Sequence, residues 1–153
     1  MLRWKFARRQ RVAWLLALGA LILSARVTAR ETVRERGQAL FAGREPLKGK
    51  VRGHQSELPP AVVVCRNCHA AQKQVQTPAS APAPPIDRSL LLEARPRRGG
   101  PPSSYDRAAF CKLLRTGIDP AYVLVAREMP VFDLDDAQCV SLWRFLTDET
   151  GPR

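Results

Sequence analysis

Cys65-Arg66-Asn67-Cys68-His69 is the stretch on which the reading of this 153-residue chain turns. Two thiols three positions apart fall on one side of a helical turn, where both can add to the two vinyl groups of a haem. The adjacent imidazole of His69 then lies beneath the iron as its proximal ligand. Three other chemistries compete for the same five residues. A structural zinc needs a second ligand pair, and the remaining cysteines, Cys111 and Cys139, stand far apart in sequence. A thioredoxin-like redox pair draws support from the β-branched run Ala61–Val64, which reads as a short strand, yet no βαβ pattern follows. A plain Cys65–Cys68 disulfide would close a very tight ring. Covalent attachment of one haem c is the reading the spacing favours.

Upstream, residues 1–29 carry six basic groups and no acid, and Val12 to Ala25 is an uncharged run of fourteen. As a helix that run spans ~21 Å, short of the ~30 Å hydrocarbon core of a bilayer. It reads as the apolar region of a signal peptide, with Val27-Thr28-Ala29 supplying small residues for cleavage after Ala29. The competing reading is an uncleaved anchor through residues 12–25, extended by its basic flank. Either way the remainder, residues 30–153, is exported to the periplasm. The division also explains the charge. The chain has a net charge of +11, but the segment after residue 29 keeps 19 basic and 14 acidic residues, a net charge of +5. Phe41, Tyr105 and Phe110 are the only aromatic residues between positions 30 and 110. A basic surface interleaved with aromatic platforms is therefore missing, and nucleic-acid binding is set aside.

The exported part reads as all-α. Val33, Gly37, Leu40 and Phe41 recur at helical spacing over 31–41, and a glycine on that stripe points to close approach of another backbone. Residues 42–60 are rich in Gly and Pro and read as a loop. Seven of the thirteen prolines lie in 77–102, which leaves no room there for a helix interior or a central strand. A loop that long in a small domain suggests that it wraps something. Ser103 and Asp106 begin a helix through Leu113 and Leu114, with Gly117 at its C-cap. Residues 120–126 read as another short helix halted at Met129-Pro130. Asp133 or Asp135 caps a final helix through Thr147, bearing Cys139, Leu142, Trp143 and Leu146 on one face.

In that order, the Gly37 helix, Cys65–His69, Met129-Pro130 and a last helix with Leu142, Phe145 and Leu146 resemble the class I (mitochondrial-type) monohaem cytochrome c family. The resemblance covers roughly residues 31–149, and its haem motif is the specific part. It implies a cytochrome c fold of helices and long loops around one covalently bound haem, with the first and last helices crossing at Gly37 and Phe145. It implies His69 as the proximal and Met129 as the distal iron ligand. The sequence supports Met129 separately, since Met1 is the only other methionine and Pro130 restricts the backbone at 129. His54, the only other histidine, is the rival ligand or else a solvated loop residue. The family also places a proline after the motif whose carbonyl receives the proximal histidine's other N–H. Pro82, Pro84 and Pro85 compete, with Pro84 or Pro85 favoured. Arg95, Arg97 and Arg98 either pair with haem propionates or form a solvated run. Cys111 and Cys139, left as a pair once the haem takes two thiols, form either a disulfide between the last two long helices or two buried thiols.

The function implied is single-electron transfer, not catalysis, between a donor such as a dehydrogenase and an acceptor oxidase or other cytochrome. The alternative is a haem-bearing subunit or sensor with an open or exchangeable distal site. The loop 42–60, longer than in small family members, either covers the haem or meets a partner.

Overall fold

The computed structural model describes residues 32–70, 83–97 and 99–149. The expected signal or anchor segment 1–29 lies outside the described residues, as do Pro82 and Arg98. The chain divides into residues 1–32 and a second unit, 33–153, which holds all that follows apart from the first residue of α1. Helix α1 (residues 32–41) is followed by a three-residue strand β1 (Lys48–Lys50) and the short helix α2 (Cys65–His69). Helices α3 (Arg88–Leu92) and α4 (Arg107–Thr116), strand β2 (Val131–Asp133) and helix α5 (Asp136–Thr147) complete the order. Among the described residues no helix is long and apolar enough to cross a membrane.

The two long downstream helices form where local signals agree. Asp106 caps α4 by accepting from Ala109 N, and Gly117 ends it in the left-handed conformation at φ 72°. In α5 the Asp135 side chain accepts from Gln138 N while the Gln138 side chain accepts from Asp135 N, a reciprocal capping box. Each such cap contributes about 1 kcal/mol to its helix. Ser103 does not take part in the α4 cap. It is paired in a bridge with Arg95, which corrects its expected place at the helix start.

Packing then joins the ends of the unit. A Cβ at Gly37 would run into Ser141 O and lie 2.6 Å from Ser141 C and 2.7 Å from Phe145 Cβ, so α1 and α5 cross in near-backbone contact there. Beside that crossing the Phe41 and Phe145 rings stand 5.7 Å apart and tilted by 50°. Arg36 grips Glu45 through Nε and Nη2, and Gln138 Nε2 of α5 reaches the same carboxylate at 3.4 Å. The core continues through Leu40, Phe110, Leu113, Leu142 and Leu146. Cys111 and Cys139 are joined in a disulfide with Cα atoms 5.9 Å apart, which ties α4 to α5.

Three readings of the sequence are corrected. The all-α expectation, and with it the strandless loop 42–60, gives way to a two-stranded antiparallel sheet, with Lys48 opposite Asp133 and Lys50 opposite Val131. Its cause is nonlocal: three residues of Lys-Gly-Lys have no strand pattern of their own and become extended by pairing with β2. The expected helix over 120–126 is a tight loop instead. The buried Asp119 carboxylate accepts from Ala121 N and Val123 N, both at 2.9 Å, and so captures amides that a helix would use. Tyr122 at its tip has φ 60°. Finally, the proline-rich stretch 77–102 does hold a helix, α3, in its proline-free middle, where Asp87 accepts from Leu90 N at 2.7 Å.

Candidate haem-attachment site

The run Ala61–Val64 is a turn rather than the strand the sequence suggests, and it anchors α2 from below. Val62 N donates to Pro59 O, Asn67 Nδ2 donates to Ala61 O, and the Val63 side chain is buried in the core. On this base α2 makes just over one turn, enough to set Cys65 and Cys68 on adjacent levels of the same helix. Neither is in a disulfide: Cys65 is half-buried against the core and Cys68 is exposed. Burial pushes the Cys65 thiol up to about 11, so it is a protonated thiol at neutral pH.

His69 ends the helix and turns its ring back onto the chain. Its Nδ1 lies 2.8 Å from Pro84 O. A carbonyl can only accept, so Nδ1 carries the hydrogen and the lone pair is on Nε2. Burial holds the imidazole below its ordinary range, more than the bond to Pro84 raises it, so the ring is neutral near pH 7. A neutral imidazole with one nitrogen engaged and the other basic is the form that binds a metal. Pro85, the other favoured proline, is exposed and its carbonyl is not the one His69 meets.

Met129 is half-buried and packs against the same core as Cys65, as do Leu58, Ile86 and Val125. Its amide donates within its own turn to Ala126 O at 3.1 Å. His54 is exposed, and Arg127 Nη2 donates to its Nε2 at 2.6 Å. The structure therefore engages the rival ligand with an arginine.

Arg97 corrects the solvated reading of the arginine run. Its Nε donates to Ser103 O at 3.1 Å and its Nη2 to Leu90 O at 2.7 Å, while the guanidinium lies 4.6 Å over the Tyr105 ring. Arg95 Nη2 pairs with Glu93 Oε2 at 2.7 Å. Two further residues take roles that the sequence analysis does not assign. Arg52 Nη2 donates to Val125 O at 3.2 Å, and Arg52 Nη1 is buried without a hydrogen-bond partner among the described residues. Asp119 has the turn chemistry of an Asp-Pro pair, which a local reading of 119–120 could have found.

The donor types are those a covalently held haem would require. They are two unbonded thiols on one turn, a neutral imidazole oriented by a backbone carbonyl, and a thioether half-buried against the same apolar core. Among the described residues no group of three or more His, Cys, Asp or Glu side chains is arranged to hold a metal ion, so the zinc alternative finds no third ligand among them. Comparison with protein-family models, with characterised proteins and with solved structures returns no match.

Proposed function

We propose that the chain is an exported c-type cytochrome that carries single electrons between redox partners. One observation carries the reading: α2 presents two unbonded thiols followed at once by an imidazole whose Nδ1 hydrogen is spent on Pro84 O. The near-backbone crossing of α1 and α5 at Gly37, beside Phe145, supports the class I resemblance from the side of the fold.

In this reading Cys65 and Cys68 would hold the haem through thioether bonds, and His69 Nε2 and Met129 Sδ would bind its iron. A haem so bound supplies an iron that accepts and releases one electron. The residues do the rest. The bond to Pro84 fixes the His69 ring and raises its basicity. A thioether ligand in apolar surroundings favours the reduced state and raises the potential. With an imidazole and a thioether of the chain on the iron, a substrate would find no open site there, and the protein would act as a carrier rather than an enzyme. Its place is the periplasm, free if cleaved after Ala29 and tethered through residues 12–25 if not. A donor dehydrogenase and an acceptor oxidase or second cytochrome are its partners. The mildly basic domain suits acidic partners in small, transient encounters.

Acid-acetone extraction tests the reading. Colour should stay on the polypeptide, and Cys68→Ala should cripple maturation. Colour that passes freely into the solvent overturns it.

A further inference from the structure

We infer that Arg52 is a positioning residue for Met129, with His54 as its second rung; the inference rests on Met129 being an axial ligand. Three anchors on the Met129 segment come from one short stretch, residues 50–54. Downstream of the methionine, Lys50 pairs with Val131 in the β1–β2 ladder. Upstream, Arg52 Nη2 donates to Val125 O at 3.2 Å and His54 Nε2 accepts from Arg127 Nη2 at 2.6 Å. Met129 thus sits inside a span of seven residues fastened at positions 125, 127 and 131. The stretch 50–54 is itself closed into a loop by the Lys50–Glu57 bridge, by His54 N donating to Val51 O and by Leu58 N donating to Gly49 O.

Arg52 is built in at a cost that a solvated loop arginine would not incur. Its Nη1 is buried with no acceptor among the described residues, and an unpaired buried donor is unfavourable. The end of α4 makes room for the group and offsets part of this cost. The guanidinium lies across Gly117, where an added Cβ would collide with Nη1, so a side chain at 117 would displace it. Gly117 also caps α4, so the positive charge meets the negative end of that helix dipole. Val125 N donates to Gly117 O at 2.9 Å, and the arginine therefore joins the end of α4, Val125 and the 50–54 loop at one point. Ligand geometry is sensitive to displacements of about 1 Å, and loop residues hold it only when their supports are fixed.

The test uses the mature holoprotein. Wild type should show the weak far-red thioether-to-iron band when oxidised, and imidazole should displace Met129 only with difficulty. Arg52→Gln should weaken that band, lower the potential and raise the apparent imidazole affinity about tenfold, because a looser loop populates the open state more. Arg52→Lys, which keeps the charge but loses the fork, should fall between the two. These changes should appear with the urea midpoint near that of wild type, a separation a merely structural residue would not give. Should Arg52→Gln fail to accumulate, Arg52→Lys and His54→Ala carry the same test. A wild-type band that persists unchanged in the Arg52 variants, with unchanged imidazole affinity, overturns the positioning role alone. Absence of the band in wild type overturns the ligand reading beneath it.

Discussion

Replacing Gly37 by alanine sets two effects of opposite sign against each other. In an exposed helix interior the change would stabilise by about 1 kcal/mol, because alanine loses less backbone entropy. At the α1–α5 crossing the new methyl would overlap Ser141 O and sit 2.7 Å from Phe145 Cβ. The obstacle is α5 backbone, which cannot rotate away as a side-chain end can. Forcing an extra carbon into a packed contact costs ~1–3 kcal/mol, and a backbone obstacle puts this site at the upper end. The net loss is then about 2 kcal/mol. With a urea slope of roughly 2 kcal/mol per M for a small domain, the unfolding midpoint should fall by about 1 M at unchanged slope. Urea titration of the purified protein followed by far-ultraviolet circular dichroism measures it. An unchanged or raised midpoint would mean that α1 and α5 do not meet at Gly37, and the crossing would be wrong.

Further outcomes follow from other contacts. Cys139→Ser should lower stability by about 3–4 kcal/mol, since the bridge closes a span of 28 residues, and mass spectrometry without reductant should show that bond in wild type; free thiols at both positions would refute it. Met129→Ala should abolish the far-red band and open the iron to imidazole, whereas a band intact in Met129→Ala and lost in His54→Ala would reassign the ligand. The Arg36 hydrogen bond holds Glu45 below the usual carboxylate range. Its folded value being depressed, its contribution is complete above the unfolded value of about 4.5 and is lost as pH falls from there through the lowered folded value. Glu45→Gln should flatten the pH dependence of the urea midpoint in that acid window and leave its shape near neutral pH alone; an unaltered acid slope would remove the pair from the account.

What the sequence made legible was what local patterns control. Asp135, Gln138 and the Cys139–Leu142–Leu146 stripe announce α5 because cap and apolar face lie within one helix length. Gly117 announces the end of α4 for the same reason. Strand β1 was hidden, because Lys48–Lys50 is extended only through a partner some eighty positions away. Asp119 shows a strong local rule going unused: the tight loop was written in Asp119-Pro120, and the apolar residues 121–125 distracted from it. At the site, the motif Cys65–His69 was plain, but the choice between Pro84 and Pro85 depends on how the chain returns, which no spacing encodes. Arg52 carried no signal at all, since its role arises from a carbonyl at position 125.

The disulfide between α4 and α5 gives this chain a sorting problem. On the proposed function, thioether formation would need Cys65 and Cys68 as thiols while Cys111 and Cys139 are joined. The fold separates the disulfide from Cys68 by access, with Cys65 half-buried between the two. Cys139 is fully buried at 0% exposure and Cys111 nearly so at 9%, whereas Cys68 lies open to solvent. Thiol exchange requires a reductant to reach sulfur, so a bridge sealed in the core persists unless the helices part. A reductant acting once α4 and α5 are packed would thus reach Cys68 without undoing the bridge. A bond sealed between α4 and α5 and a thiol open at Cys68 thus meet the same reductant on unequal terms.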